Sequence, residues 1–208
     1  MTVSRAVAFH EAGHVVATWM VGEHVYAVHT ATGRSGANFT LRKGAISNRA
    51  LGLVETSDDC PAGMRAYALE RAPERRAAMW TSTLNSIFSD GAGAAAEARA
   101  SRRSLAAVWL SAAPAGDLAR AIEKAEVFAP DHEAARRVVF KIWNDTAPLI
   151  ARGIGWQAVK LVAEGILAGL DAEALTKRAS ALTSGWPYGL YGVSVAPIPD
   201  PGDAGKSA

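Results

Sequence analysis

Most of the chain beyond residue 73 carries apolar residues at helical spacing among many alanines. The segments with this pattern are 74–100, 117–128, 132–150, 155–167 and 172–180. Alanine has the highest helix propensity, and apolar residues that recur every three to four positions place one face of a helix against a core. The sequence therefore predicts a mainly α-helical protein, with a less regular link over residues 101–116.

The first part of the chain predicts one more helix and a small sheet. Valines and a methionine recur among alanines over residues 3–21, which is helical spacing. Segments 24–30 and 38–42 are short, contain β-branched and aromatic residues, and are separated by a loop with two glycines. They predict a β-hairpin, which residues 51–55 could join as a third strand.

The length of the chain favours one compact domain. It has 208 residues, and half of them are hydrophobic, which is enough to bury a sizeable core. The last residues are rich in proline and glycine, a composition typical of segments without regular structure. We predict a domain over residues 1–184 and a flexible tail over 185–208.

Charge and cysteine content exclude several classes of protein. The formal net charge is +2, with basic and acidic residues interleaved, so no basic block indicates a nucleic-acid partner. One cysteine, Cys60, cannot form an internal disulfide and suits a reducing compartment. Neither a secretory leader nor an apolar run of about 18 residues is found. We predict a soluble, cytoplasmic protein without a membrane span.

The first predicted helix contains the sequence His-Glu-Ala-Gly-His over residues 10–14. His10 and His14 lie one helical turn apart on the same face, so both imidazoles can reach one metal ion. Glu11 lies about 100° round the helix, where it can accept a proton from a water molecule without binding the metal. The alternative is a polar helix face, but burying unpartnered imidazoles in an apolar helix would be costly. The pattern favours a zinc site.

A catalytic zinc ion needs a third protein ligand. The candidates by residue type are His24, His29, Asp90, Glu97, Asp117 and His132. Asp117 opens a predicted helix, where a short carboxylate can project toward another helix, but it could equally be an ordinary N-cap. Residue type and position alone do not separate these candidates.

Three segments, in the same order, resemble the FtsH family of ATP-dependent zinc proteases. Residues 9–17 are similar to the active-site helix of that family, which carries His-Glu-Ala-Gly-His followed by small apolar residues. Gly-Ala-Ala-Ala-Glu at 93–97 is similar to the Gly-Arg-Ala-Ala-Glu stretch of the family, and Gly-Asp-Leu-Ala-Arg-Ala at 116–121 to its Asn-Asp-Leu-x-x-Ala stretch. The similarity extends over most of the chain, to about residue 180.

This resemblance implies a helical, zincin-like FtsH peptidase domain that cleaves polypeptides. His10, His14 and Asp117 would be the Zn²⁺ ligands, and Glu11 the general base. Glu97 would hold a ligating histidine by a hydrogen bond, unless it is an ordinary solvated glutamate. Residues 38–41 are similar to a family segment beside an edge strand, where an extended peptide could bind by strand addition.

The chain departs from the family in two respects. It has no Gly-x-x-x-x-Gly-Lys-Ser/Thr phosphate loop, so we expect no ATP-driven unfolding by the chain itself. A separate unfoldase could deliver substrates, and a homo-oligomer is open because the family works as rings. Gly116 replaces the usual polar residue before the aspartate, and the link ahead of it is a few residues longer.

The resulting hypothesis is an ATP-independent zinc metalloendopeptidase that acts on unfolded or extended polypeptides. One alternative is a catalytically idle zinc-binding regulatory or scaffold protein with the same fold. Another is a zinc hydrolase that acts on a nonpeptide amide with the same ligands and base.

Overall fold

The computed structural model describes residues 3–32, 37–41, 50–56, 73–110 and 115–183, which form seven helices and a two-stranded sheet. In chain order the elements are α1 (Arg5–Met20), β1 (Val25–Thr30), β2 (Gly52–Thr56), α2 (Pro73–Ser101), α3 (Leu105–Trp109), α4 (Ala115–Glu126), α5 (His132–Ala151), α6 (Gly153–Leu167) and α7 (Ala172–Thr183). The predicted mainly helical class with a small sheet is confirmed. Membership of the zincin-like FtsH fold stays a prediction.

Local sequence signals explain where helix α1 begins and ends. The Ser4 hydroxyl accepts a hydrogen bond from the Val7 N–H at 3.2 Å, which satisfies one of the free amides of the first turn. After the helix, Gly22 has a φ of 80°, a left-handed conformation that glycine adopts without steric cost. The sixteen residues of the helix carry the His-Glu-x-x-His motif within its buried stretch.

The sheet differs from the predicted hairpin. Strand β1 pairs antiparallel with β2, with Thr30 opposite Gly52 and Val25 opposite Thr56. The prediction of a strand at 38–42 is wrong for residues 38–41, which lie outside both strands, and Arg42 is outside the described residues. The third predicted strand, not the second, is therefore the partner of β1.

The core is formed where helix α1 crosses the long helix α2. A Cβ atom at Gly13 would lie only 2.9 Å from the Cβ of Ala96, and closer still to the carbonyl oxygen of Ala92. The absence of a side chain at Gly13 thus allows the two helix backbones to come close together. Helix α1 also packs on α6 and on strand β2, while α4 and α5 pack on α2.

Helices α2 and α5 are joined by a buried tryptophan. The Trp143 indole N–H donates a hydrogen bond to the carbonyl oxygen of Ile87 at 2.7 Å. Gly91, one turn further along α2, lies directly against the indole ring, where any Cβ would overlap it. Pairing of the buried indole N–H avoids the cost of an unsatisfied polar group in the core.

The link predicted over residues 101–116 contains the short helix α3. The Ser104 hydroxyl accepts from the Ala107 N–H at 3.2 Å and so caps this helix. Helix α4 begins at Ala115, two residues earlier than predicted, so Asp117 lies inside its first turn. A difference of one or two residues is usual where helix ends are assigned.

Of the helices that the structure describes, none combines the length and the hydrophobicity that a membrane crossing requires. The predicted tail, residues 185–208, and Cys60 lie outside the described residues. The domain boundary at residue 184 and the cytoplasmic location stay predictions.

Candidate metal centre

Helix α1 brings three ionisable side chains into the core. His10, Glu11 and His14 are 9%, 4% and 9% exposed, and every residue from Ala8 to Thr18 is buried. Because ionisable groups are costly to bury without partners, each of the three needs a compensating charge, hydrogen bond or metal ion.

The two imidazoles are oriented by partners on helix α2. His10 Nδ1 lies 3.2 Å from Glu97 Oε2, and His14 Nδ1 donates to the carbonyl oxygen of Ser89 at 2.6 Å. Hydrogen bonds at Nδ1 leave Nε2 of both rings available, as is common for metal-binding histidines. The contact between Glu97 and His10 expected from the FtsH resemblance is therefore present.

Helix α4 places a carboxylate opposite the histidines. Asp117 Oδ2 lies 3.0 Å from His10 Nε2 and 3.5 Å from His14 Nε2. Its other oxygen, Oδ1, accepts a hydrogen bond from Arg120, three residues along the same helix. Arg120 thereby holds the Asp117 carboxylate with Oδ2 toward the histidines.

The three side chains fit one tetrahedral metal ion. Their ligating atoms all lie within 4.8 Å of one another. Zinc–ligand bonds of about 2.0–2.1 Å at tetrahedral angles separate neighbouring ligand atoms by about 3.4 Å. The distances of 3.0 Å and 3.5 Å from Asp117 Oδ2 to the two Nε2 atoms bracket that value. His10, His14 and Asp117 thus form a buried group that could hold a metal ion.

Gly93 of helix α2 keeps the space between the imidazoles open. A Cβ atom at this position would lie 2.8 Å from His10 Nε2 and still closer to His14 Nε2. Any larger residue would fill the volume beside the two ligating nitrogens. Glycine makes a helix interior less stable by about 1 kcal/mol than alanine does. The space beside the imidazoles is therefore kept open at a cost in helix stability.

Glu11 lies between helix α1 and the start of strand β2. The carboxyl group is so close to the backbone of Gly52 that a Cβ there would overlap it. Burial raises the pKa of the Glu11 carboxyl, and the positive charges of His10 and His14 offset only part of that effect. A carboxylate with a raised pKa is better suited to exchange protons near neutral pH.

The contact between His10 and Asp117 favours the protonated form of His10 and the ionised form of Asp117. Burial alone would lower the pKa of His10, but hydrogen bonds to Asp117 and Glu97 raise the pKa to about 10. Burial would raise the pKa of Asp117, but the charge of His14 and hydrogen bonds from both histidines hold that pKa well below its usual range. A cation bound here would displace the proton, because a histidine binds a metal in its neutral form.

The three histidine candidates for the third ligand lie elsewhere. His29 lies in strand β1 with its Nε2 3.6 Å from a Glu55 carboxylate oxygen, and His132 Nδ1 lies 2.6 Å from Glu126 Oε1. The His24 ring contacts Tyr26 with ring centroids 4.8 Å apart. Within the described ranges, only His10, His14 and Asp117 form a group of three potential ligands.

Asp90, the last of these candidates, belongs to a buried ion pair behind the metal centre. Its Oδ2 accepts from Lys124 Nζ at 2.9 Å, and its Oδ1 lies 3.6 Å from Arg120 Nε. Lys124 also donates to the Ser86 hydroxyl and is only 5% exposed. Arg120 connects this pair to Asp117, so the pair supports the helix that carries the third candidate ligand.

Replacing Lys124 with methionine is expected to lower the free energy of unfolding by about 2–3 kcal/mol, because Asp90 would be left buried with only Arg120 to compensate it. Urea denaturation followed by circular dichroism measures this change. Lys141→Met is the matched control, because Lys141 is exposed and pairs with Asp145 on the same helix. It should change the free energy of unfolding by less than about 0.5 kcal/mol. Equal effects of the two substitutions would refute the structural role of the buried pair.

Several residues of the centre were not found from the sequence. Arg120 is three residues from Asp117 on one helix, a spacing that predicts contact, so it could have been identified. Ser89 contributes only its backbone, and Gly93 and Gly52 contribute the absence of a side chain. A backbone carbonyl or a missing side chain gives no chemical signal in a single sequence, although Gly93 is the first residue of the stretch 93–97 that resembles the FtsH family.

Comparisons with protein-family models, with curated proteins and with solved structures found no match.

Proposed function

We propose that the chain is a zinc-dependent endopeptidase that hydrolyses peptide bonds in unfolded or extended polypeptides and does not itself use ATP. The observation that carries the proposal is the buried arrangement of His10, His14 and Asp117 with Glu11 beside them. Two imidazole nitrogens and one carboxylate oxygen leave one position of a tetrahedral ion open, as in catalytic zinc sites. The FtsH resemblance of the motif supports polypeptides as the substrate class.

Zinc fits this donor set better than magnesium or calcium does. Magnesium and calcium prefer six or more oxygen ligands, whereas this group offers two nitrogens and one oxygen. Imidazole suits zinc, copper, iron and nickel, so the donor set alone does not select among these metals. A glutamate beside the site favours hydrolysis, for which zinc is the usual metal.

The residues of the chain have distinct roles in the proposed reaction. A zinc ion held by the three side chains would polarise the scissile carbonyl and lower the pKa of a water molecule. Glu11 would accept a proton from the water whose oxygen attacks the carbonyl carbon, and would then donate a proton to the leaving amine as the C–N bond breaks. Glu97 and the Ser89 carbonyl keep the imidazoles in place, and Arg120 does so for Asp117.

The proposal is tested by metal removal and restoration. Protein stripped with a chelator should not cleave casein that has been unfolded, and one equivalent of Zn²⁺ should restore cleavage, because the three ligands form one site. Mass spectrometry of the products measures cleavage, and metal analysis of the protein measures binding. Stoichiometric zinc without cleavage of any peptide in a broad library would reject the peptidase proposal in favour of a zinc-binding protein without activity.

A further inference from the structure

A pocket outside the metal centre lies where helix α2 ends and where helix α5 is followed by α6. Its volume is about 590 Å³, within the range of small-molecule binding sites. Arg99, Arg102, Arg103 and Arg152 lie around it, and none of the described residues that line it is acidic. The pocket is separate from the metal centre, whose ligands do not line it.

The four guanidinium groups are only partly neutralised. Arg103 lies 3.7 Å from Glu97 Oε1 and donates to the Ala107 carbonyl oxygen. Arg99, Arg102 and Arg152 form no ion pair with any residue in the part of the chain that the structure describes. Like charges that converge on one pocket destabilise it, and a bound anion would remove this repulsion.

Helix α6 begins at the edge of the pocket. Arg152 is the N-cap residue, and its side chain makes no capping hydrogen bond. Gly153 follows with a φ of 53° and lines the pocket. The amide groups of a first helical turn have no partners within the helix and attract anions. Helices α2 and α5 end nearby, each with about half a negative charge, but the four full positive charges of the arginines outweigh them.

The floor of the pocket is apolar. It consists of Leu105, Trp156 and alanines of helices α2 and α5. The Trp156 ring is stacked on Phe9 at 5.5 Å between centroids, and the Arg99 guanidinium lies 5.9 Å from the Trp156 centroid. The Trp156 ring is therefore already in contact with Phe9 and Arg99. The floor suits an aliphatic group of a ligand better than an additional aromatic ring.

The pocket combines a positively charged rim with an apolar floor. An inorganic anion would contact only the rim, and a purely apolar ligand would contact only the floor. We propose that this pocket binds a small organic phosphate, whose phosphate is held by the arginines and the start of α6 and whose short aliphatic part covers the alanine floor. Guanidinium groups match phosphate geometry and charge.

The proposal is tested with hexyl phosphate, inorganic phosphate, hexanoate and hexanol, by isothermal titration calorimetry on chelator-treated protein. Hexyl phosphate should bind at one site and at least about tenfold more tightly than inorganic phosphate, because only it covers the apolar floor. Hexanoate should bind more weakly than hexyl phosphate, and hexanol should not bind. Equal affinity for hexyl phosphate and hexanol, or for hexyl and inorganic phosphate, would overturn the proposal.

Substitutions locate the binding. Arg102→Gln and Arg152→Gln should each weaken hexyl phosphate binding about tenfold, since each removes a charge-assisted contact. Both side chains are exposed, and circular dichroism checks that the fold is kept. Arg137→Gln is the matched control, because Arg137 is an exposed arginine outside the pocket that faces Glu133. Equal weakening by the control would show a nonspecific charge effect and refute the site. Binding is measured without zinc, so its outcome does not depend on peptidase activity.

Discussion

The Glu11→Gln variant should bind zinc with unchanged stoichiometry and cleave unfolded casein at least about 100-fold more slowly than the parent chain. Loss of a positioned general base typically costs 10²–10⁴ in rate. Glutamine has the same shape but cannot accept the proton of the attacking water. Because burial disfavours the charged carboxylate at this position, the neutral amide should not reduce the stability of the fold. Cleavage rates and metal content are measured on the same preparation.

Glu133→Gln is the matched control for this variant. Glu133 lies in the first turn of helix α5 and is well exposed, so its substitution removes the same charge far from the metal centre. The control should cleave at the parent rate. Undiminished cleavage by zinc-loaded Glu11→Gln would show that another group is the base and would remove Glu11 from the mechanism.

The second large effect is expected from a substitution that removes no functional group. Gly93→Ala should weaken zinc binding at least about 100-fold, because the added methyl group would lie against both Nε2 atoms that we propose as metal ligands. The metal-free fold should be kept, since alanine favours a helix by about 1 kcal/mol over glycine and the imidazoles can rotate away. Competition with a chromophoric chelator measures the zinc affinity, and thermal unfolding measures stability.

Gly116→Ala makes the same chemical change next to Asp117. A Cβ at Gly116 would meet no atom within 4 Å, so zinc binding should be unchanged in this variant. If Gly93→Ala bound zinc as tightly as the parent chain, the metal could not lie between the imidazoles, and the assigned centre would have to be abandoned.

The helices and the first half of the centre could be predicted from the sequence because both depend on local spacing. Apolar periodicity located each long helix to within about three residues, and the interval between His10 and His14 placed both on one face. The pairing of 52–56 with β1 could not be predicted, because short segments carry no information about which partner they choose. Residue composition indicated strands at 24–30 and 51–55, but it did not indicate that these two segments pair with each other.

The rest of the centre depends on how distant helices cross. His10 and Asp117 are separated by 107 positions, and six residue-type candidates competed for one role. The family resemblance indicated Asp117 among these candidates. Its short distance to the histidines depends on how α4 packs on α2, which the sequence does not specify. The arginine pocket was hidden for the same reason, since Arg152 comes from a different helix junction than the other three arginines.

The close crossing at Gly13 fixes the two histidine rings against their hydrogen-bond partners. The carbonyl of Ala92 fills the place of a side chain on α1, so main-chain contact sets the distance between the histidine-bearing helix and α2. Glu97 and the Ser89 carbonyl, which meet the Nδ1 atoms of His10 and His14, both lie on α2. An enlarged residue at position 13 should therefore move both rings away from these partners although no candidate ligand is changed.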